Sequence, residues 1–297
     1  MKYFITGASG WIGSAVTAEL IANGDAVVGL ARSAASADAI RGAGAEVVRG
    51  SLDEPGSLRA PAETSDGVIH LGFNHDFSAH EAAVATDRAA IETFGDVLAG
   101  SDRPLLIASG VLGRGAGQLA TEDMTPDYEH LASPRALNEK LALGYADHGV
   151  RAISVCFAPS VHGDGDHGFM SSYVAMARAA GVAGFVGDGT NTWPAVNRAD
   201  AAVLIRLALE KAPPRSVLHA VAEEGVEHRA IAAAIGRRLG LPVRAFKPGE
   251  VPAEFAWLAR FLGVSSRASS ALTQQWLGWA PTHPGLIADL EAGSYLR

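Results

Sequence analysis

Lys2-Tyr3-Phe4-Ile5-Thr6-Gly7-Ala8-Ser9-Gly10-Trp11-Ile12-Gly13 combines a short apolar run with three glycines at three-residue spacing, and a helical pattern continues to Ala22. This order predicts a strand, a tight turn and a helix. Gly7 allows the turn, Gly10 lets the backbone approach a pyrophosphate, and Gly13 lets the helix pack closely. The free N–H groups and the positive dipole end of the helix then face the phosphates. The run therefore predicts a dinucleotide-binding loop.

Short apolar runs alternate with helical patterns throughout the first half, which is typical of a parallel sheet built from βαβ units. The predicted strands are Tyr3–Ile5, Ala26–Leu30, Glu46–Val48, Gly67–Leu71, Pro104–Ala108 and Arg151–Phe157. The predicted helices between them are Ile12–Ala22, Ala34–Arg41, Glu81–Ala99 and Pro134–His148. The fold class is therefore α/β, a doubly wound parallel (Rossmann) sheet.

The pattern changes after Pro159, where Gly163–Gly168 and Gly184–Pro194 indicate loops. Helices near Arg198–Lys211 and Arg229–Leu239 flank one further strand at Ser216–Ala220. We therefore expect residues 1–160 to form the NAD(P)-binding Rossmann domain. Residues 161–297 are expected to form a smaller substrate-binding lobe, interleaved with the first domain and contributing late strands and helices.

Composition narrows the classes of partner. The chain has 297 residues with 48% hydrophobic and 19% charged content, and its net charge of −8 argues against nucleic acid or an anionic membrane as partner. No apolar run approaches the roughly 20 residues of a membrane helix. The chain has a single cysteine, Cys156, which excludes an intramolecular disulfide and a cysteine-based metal site. We expect a cytoplasmic protein with a small-molecule substrate, because no leader segment precedes the first strand.

Several motifs together identify the family. Thr6–Gly13 resembles the TGxxGxxG motif of the extended, atypical short-chain dehydrogenase/reductases, the NAD-dependent epimerase/dehydratase-like proteins. Further stretches resemble the family's later motifs in the same order: Asp66–Gly72, Pro159–Gly163, Val196–Ala202 and Leu277–Pro281. The resemblance implies that the cofactor lies against the following residues: Gly7, Ser9, Gly10, Trp11, Ile12, Gly13, Ser51, Leu52, Leu71, Gly72, Pro159 and Val161.

The end of the second predicted strand favours NADP(H) over NAD(H). NAD-specific folds place an acidic residue there, which accepts hydrogen bonds from the ribose 2′-OH. Here Val27-Val28-Gly29-Leu30-Ala31 is followed by Arg32 and Ser33. Arg32 can pair with a 2′-phosphate and Ser33 can donate a hydrogen bond to it. The alternative is that Arg32 is a solvated surface arginine.

The family's catalytic residues are only partly matched. The resemblance implies a Tyr-x-x-x-Lys pair and a serine, which move the proton, hold the ribose and orient the substrate. Ser109 is the candidate hydroxyl, although a stricter register places Gly110 at that position. Glu139, aligned with a glutamate that often follows the lysine, places Arg135 on the lysine and Leu131 on the tyrosine. Arg135 can hold the ribose but does not deprotonate.

Three groups are candidates for the missing proton donor: Tyr128 shortly before the tyrosine position, His162 in the loop beside the nicotinamide, and His70, His75 and Asp76 after the fourth strand. Each has a structural alternative, as a packing, loop-bonding or exposed residue. No spacing supports metal ligation by His70, His75 and Asp76. The expected substrate pocket contains His75, His167, Phe169, Met170 and Trp193, although Trp193 can equally anchor a loop.

Two functions remain open. One is an NAD(P)-dependent oxidoreductase or epimerase/dehydratase-like enzyme that acts on a small carbonyl or hydroxyl substrate with a non-standard active site. The other is a catalytically inactive NADP(H)-binding regulatory or sensor protein. The missing Tyr-x-x-x-Lys favours the second, whereas Ser109 and the polar loops around His162–Phe169 favour the first. The resemblance also implies a homodimer through the helices Glu81–Ala99 and Pro134–His148, although a monomer is compatible with the sequence.

Overall fold

The computed structural model describes residues 1–74, 79–115, 117–124, 135–247, 249–293 and 295. Over these residues the strands are β1 (Lys2–Thr6), β2 (Ala26–Ala31), β3 (Glu46–Arg49), β4 (Gly67–His70), β5 (Pro104–Gly110), β6 (Leu119–Ala120), β7 (Arg151–Phe157), β8 (Ser160–His162), β9 (Ala183–Val186), β10 (Thr192–Asn197), β11 (Ser216–Ala220), β12 (Glu223–Glu227), β13 (Val243–Phe246) and β14 (Arg267–Ala268).

The α-helices of the same residues are α1 (Trp11–Ala22), α2 (Ala34–Gly42), α3 (Gly56–Glu63), α4 (His80–Leu98), α5 (Arg135–Gly144), α6 (Phe169–Ala180), α7 (Arg198–Lys211), α8 (His228–Leu239), α9 (Ala259–Leu262), α10 (Ala271–Leu277) and α11 (Leu286–Ala292). Two 3-10 segments follow α5 and precede α9: Tyr145–His148 and Ala253–Leu258. Among these helices, none is both long and apolar enough to cross a lipid bilayer.

The main sheet has seven parallel strands in the order β11-β7-β5-β4-β1-β2-β3. The chain runs outward from β1 to β3 on one side and from β4 to β11 on the other. The strand order therefore reverses between β1 and β4, and ligands of such sheets bind in the crevice outside the carboxyl ends at this point. The predicted doubly wound fold is confirmed.

Alternating side chains bury both faces of the sheet. On β5, Leu105 and Ile107 pack with α4 and α5, in a cluster that includes Phe94. Leu106, between them, faces the opposite cluster with Val16 of α1 and Leu204 of α7. Successive side chains of a strand point to opposite faces, so a continuously apolar strand requires helices on both sides.

Residues after 160 build a second core and also return to the first. The smaller sheets β12-β10-β8 and β13-β9 pack with α6, α8 and α11 around Trp193 and Tyr173. β11 nevertheless pairs with β7 in the main sheet, and α7 packs against α1. The boundary at residue 160 remains a prediction.

The predicted loop Gly184–Pro194 is wrong in part, because it contains β9 and the start of β10. Gly184 is needed for close packing: a Cβ there would lie 2.1 Å from the Phe246 ring of β13. Pro194 lies in β10 where the pairing with β12 shifts register, between Trp193 and Ala195. A register shift accommodates a residue that has no N–H to donate. Local turn residues therefore indicated loops where distant chain segments supply strand partners.

Other predicted elements agree closely with the structure. Arg151–Phe157, Ser216–Ala220 and Arg198–Lys211 have the predicted bounds. The long helix predicted at Glu81–Ala99 is α4, one residue earlier at each end. The helix predicted from Pro134 to His148 divides into α5 and the 3-10 turn Tyr145–His148, and Pro134 lies outside the described residues.

Candidate functional site

The glycine loop lies at the carboxyl end of β1, beside the point where the strand order reverses. Gly7 has a φ of +73°, and a Cβ on it would lie 2.8 Å from the Gly72 nitrogen. A Cβ on Gly13 would lie 2.0 Å from the Gly7 carbonyl oxygen. These two positions exclude any larger residue without a backbone shift, because one is left-handed and both are closed by main-chain atoms.

The first turn of α1 presents unpaired amides beside this loop. Gly10 is the N-cap and supplies no side-chain hydrogen bond, and the turn contains no acidic residue. The N–H groups of Trp11, Ile12 and Gly13 are therefore available to an anion, and Ser9 is exposed beside them. Helix N-termini of this kind bind phosphate through their amides and dipole. The loop fits the pyrophosphate of a dinucleotide.

The turn after β3 contributes an apolar side chain, Leu52, to the crevice. Leu52 reaches the turn after β4, since a Cβ on Gly72 would lie 3.2 Å from the Leu52 Cδ1. The Ser51 hydroxyl donates to Asp53 Oδ2 at 3.1 Å and is thereby engaged within its own loop. Leu71 and Gly72 are half-buried next to β1. These residues fit adenine packing against Leu52, with no carboxylate at position 51.

Arg32 and Ser33 lie where β2 meets α2. Arg32 is exposed, and no hydrogen bond or ion pair of its side chain is found among the described residues. Ser33 is the N-cap of α2, where its Oγ accepts from the Ser36 N–H at 3.1 Å. The first turn of α2 contains no acidic residue. An unpaired guanidinium beside a helix N-terminus without carboxylates is an electrostatically positive site.

Arg135 lies at the carboxyl end of β5, on the other side of the crevice from β2. It begins α5, donates to the Ala108 carbonyl at 3.1 Å, and places its Cζ 4.1 Å from the centre of the Phe73 ring. Its Nε is buried without a hydrogen-bond partner among the described residues. Burial lowers the pKa of Arg135, whereas the nearby charges of Asp87 and Glu139 act in the opposite direction. The guanidinium stays charged, because arginine does not deprotonate in proteins.

Ser109 is held by a buried ion pair behind the end of β5. Its hydroxyl donates to Glu139 Oε2 at 2.6 Å, and Arg114 donates to both oxygens of the same carboxylate, at 2.7 and 3.1 Å. The thiol of Cys156 lies 3.9 Å from Glu139 Oε1, and burial raises the pKa of that thiol to about 12. Gly110, the next residue, is exposed at the strand end. The Ser109 hydroxyl is therefore committed to Glu139.

A second buried network supports the glycine loop from below. Thr6 Oγ1 lies 2.6 Å from His70 Nδ1 and accepts from the Gly72 N–H at 3.1 Å. His70 Nε2 lies 3.2 Å from Asp87, which also accepts from Asn138 at 2.7 Å. Burial raises the pKa of Asp87, but the proximity of His70, the charge of Arg135 and the bond from Asn138 outweigh burial and leave that pKa lowered. His70 thus bonds Thr6 through Nδ1 and faces the Asp87 carboxylate with Nε2, which links the turns after β1 and β4 to α4.

His162 lies in β8, fully buried, against the last helix. Its Nδ1 is 2.5 Å from Asp289 of α11, and Asn197 donates to the same carboxylate at 3.3 Å. Nε2 is buried and has no hydrogen-bond partner among the described residues. The dyad joins the chain terminus to the sheet of the second lobe. Proton transfer by His162 stays a prediction, because it requires Nε2 to face the substrate.

The second lobe brings aromatic side chains to the crevice. The exposed His167 ring lies 5.3 Å from the Trp11 ring, and half-buried Phe169 lies 5.8 Å from Phe261. Trp193 is fully buried behind Phe169, at 5.9 Å, and therefore supports this wall from inside. Met170 is also buried. Pro159 and Val161 border the crevice, and the Val161 carbonyl accepts from Trp11 Nε1 at 2.8 Å.

The remaining predicted residues lie outside the described chain. They are Tyr128, Leu131, His75 and Asp76. Within the described residues, no group of three or more His, Cys, Asp or Glu side chains is arranged to hold a metal ion.

Sequence reasoning missed the residues whose partners are distant in the chain, namely Phe73, Asp87, Arg114, Arg198 and Asp289. Phe73 directly follows the recognised Asp66–Gly72 stretch, so its position after β4 was the available signal. Asp87 lies within an amphipathic helix, where the sequence pattern predicts that an acidic side chain faces solvent. Its burial depends on His70 and Asn138, which only the fold brings together.

Comparison with known proteins agrees with this geometry. The family model described as "NAD dependent epimerase/dehydratase family" matches residues 3–220. Uncharacterized proteins of Schizosaccharomyces pombe and Saccharomyces cerevisiae are each 43% identical, covering 99% and 100% of this chain and 100% of their own length.

Among solved structures, the dTDP-glucose 4,6-dehydratase of Streptomyces venezuelae with bound NAD superposes with a TM-score of 0.79 at 17% identity, covering 99% of this chain and 96% of its own. The UDP-glucose 4-epimerase of Thermus thermophilus, in complex with NAD, gives 0.77 at 18% identity, with coverages of 99% and 98%. At these identities the likeness shows the fold.

Proposed function

Because this chain belongs to the NAD dependent epimerase/dehydratase family, we propose that it is an oxidoreductase that uses NADP(H) on a small carbonyl or hydroxyl substrate. The cofactor supplies or accepts a hydride when bound. The chain supplies the glycine loop, the α1 N-terminus and the Leu52 wall that hold the dinucleotide in the crevice. The fit rests on Gly7 and Gly13, where a Cβ would meet main-chain atoms.

The observation that supports NADP(H) is Arg32. It is exposed beside the N-terminus of α2, and β2 ends in Ala31 where an acidic residue would bind a ribose 2′-OH. A 2′-phosphate at this point would gain charge-assisted hydrogen bonds from the guanidinium. Without that phosphate, Arg32 stays a solvated surface side chain.

Arg135 takes the position of the family's lysine in this proposal. Stacking on Phe73 and the bond to Ala108 hold the guanidinium at the end of β5, where it would donate to a ribose hydroxyl. As a permanent cation it stabilises negative charge on a substrate oxygen, but it transfers no proton. Ser109 orients Glu139 rather than substrate in this structure, and Tyr128 and His162 are the proposed proton donors.

Cofactor preference is tested by titrating the protein with NADPH and NADH and following nicotinamide fluorescence. We expect tighter binding of NADPH, and Arg32→Ala should weaken it about 10- to 100-fold, because charged hydrogen bonds contribute about 1.5–3 kcal/mol. NADH binding should not change. Arg41→Ala is the matched control, since Arg41 is an exposed arginine at the far end of α2, the helix that follows Arg32, and is paired with Asp38. Equal affinities in the unmutated protein would refute the assignment.

The engagement of Ser109 by Glu139 favours a second candidate, a regulatory protein that binds NADP(H) without turning it over. The two candidates differ in one measurement: oxidation of bound NADPH at 340 nm in a single turnover with a panel of aldehydes, ketones and quinones. The enzyme oxidises NADPH with at least one class, and Tyr128→Phe and His162→Gln then identify the proton donor by their rates. A sensor leaves NADPH unchanged with every class.

A further inference from the structure

Trp11 joins the glycine loop to the second lobe. As the first residue of α1 it follows Gly10 directly, and its half-buried indole leaves the loop toward β8. Its Nε1 donates to the Val161 carbonyl at 2.8 Å, across 150 positions of sequence. The residue that begins the phosphate-binding helix is therefore bonded to the strand that borders the nicotinamide side.

Arg198 covers this tryptophan from α7. Its Cζ lies 3.9 Å from the centre of the Trp11 ring, and its Nη1 donates to the Trp11 carbonyl at 3.4 Å. Burial lowers the pKa of Arg198, while the charges of Asp164 and Asp166 act in the opposite direction. Arg198 thus stacks on the start of α1 and lies within the electrostatic reach of two carboxylates of the loop after β8.

The loop of residues 163–168 packs against both Trp11 and Arg198. The His167 ring meets Trp11 edge-on at 5.3 Å, and Asp166 accepts from the Gly168 N–H at 2.6 Å, which closes the turn. Gly163 has a φ of +148° and lies against α7, where an added Cβ would be 3.7 Å from the Cβ of Arg198. The loop leads directly into α6 and Phe169, the aromatic wall of the crevice.

We propose that Arg198 is a positioning residue that couples cofactor binding at the glycine loop to the ordering of the 163–168 loop through Trp11. The inference rests on the proposed binding of NADP(H). A bound pyrophosphate adds negative charge beside the α1 N-terminus, whose first residue Arg198 covers, and the carboxylates of Asp164 and Asp166 act on the same guanidinium from the loop. The guanidinium, stacked on Trp11, then attracts both the pyrophosphate and the two carboxylates of the loop. The substrate side of the crevice is therefore ordered when the cofactor is present.

The test uses the full-length protein and measures two quantities. The first is hydrogen exchange of the amides of residues 163–168 with and without NADPH. The second is the Kd for NADPH and for adenosine 2′,5′-bisphosphate, which lacks the nicotinamide half and the pyrophosphate. In the unmutated protein we expect NADPH, but not the bisphosphate, to slow exchange in the loop.

Arg198→Ala should abolish that slowing and raise the Kd for NADPH about tenfold, while the Kd for the bisphosphate changes less than about twofold. Arg198→Gln should have the same effects as Arg198→Ala. Arg198→Lys should retain part of the slowed exchange and part of the NADPH affinity, because a cation remains over the Trp11 ring. Arg206→Ala is the matched control: Arg206 also joins α7 to α1, through Glu19, but lies away from the loop. It should leave both measurements unchanged.

Three results would overturn the proposal: loop exchange in the unmutated protein that does not respond to NADPH, an Arg198→Gln variant with unchanged exchange and Kd, or equal weakening of both ligands. Equal weakening identifies a purely structural role. Failure of the unmutated protein to bind NADPH at all overturns the proposed function instead, so the two failures are distinguishable. Where Arg198→Ala does not fold, the glutamine and lysine variants carry the test.

Discussion

Glu139 offers a direct test of how the end of β5 is stabilised. Its carboxylate is 1% exposed and accepts one hydrogen bond from Ser109, two from Arg114 and a long one from the Cys156 thiol. The Arg114 side chain is itself only 6% exposed. Removing one member of a buried ion pair takes from the other its bidentate opposite charge, which costs about 3–5 kcal/mol. Glu139→Gln should therefore lower the free energy of unfolding by about 3 kcal/mol.

The assay is urea unfolding followed by circular dichroism, with linear extrapolation to water. Arg114→Met should cost a similar amount because it leaves Glu139 unpaired. The double variant lacks both members of the Glu139–Arg114 pair. It should be at least about 2 kcal/mol more stable than the sum of the single losses predicts, since residues in direct contact are not additive.

Glu92→Gln is the matched control. Glu92 pairs with Arg88 on the exposed face of α4, at 2.9 Å. Exposed pairs of this spacing contribute about 0.3–0.5 kcal/mol, so a small loss is expected. The reasoning is refuted if Glu139→Gln is no more damaging than this control, or if the Glu139 and Arg114 losses add within about 0.5 kcal/mol.

Two further perturbations address the second lobe and the outer helices. Burial lowers the pKa of His228 to about 4, so the unfolded chain binds a proton between about pH 6.5 and 4 while the folded one does not. The free energy of unfolding therefore falls by about 3 kcal/mol as the pH drops through this window. His228→Phe should remove this contribution to the pH dependence, measured by comparing urea unfolding midpoints at about pH 7 and 4.5. Leu137 is 47% exposed on α5, and the proposed homodimer predicts that Leu137→Arg converts a dimer to a monomer in light scattering. A monomeric unmutated protein would contradict the proposed pairing of α4 and α5.

The catalytic end of the crevice shows where local pattern stops being informative. The sequence placed Ser109 at the end of β5 and Arg135 at the start of a helix, and both positions are found. Their partners were not predictable, because Glu139 meets Ser109 across 30 positions and Phe73 reaches Arg135 from the turn after β4. Trp193 looked equally like a pocket residue and an anchor, and only its burial shows that it lies behind Phe169.

The sequence by itself determined the doubly wound sheet, the glycine loop and the position of Arg32. These features depend on the periodicity of apolar residues and on backbone conformations that only glycine tolerates, both of which are local properties of the chain. The tertiary structure alone decided that Gly184–Pro194 contains strands, that His162 pairs with Asp289, and that Arg198 stacks on Trp11. Those outcomes depend on burial and on contacts between segments far apart in sequence. The glycine loop was therefore evident from its own residues, whereas its connection to the second lobe required the fold.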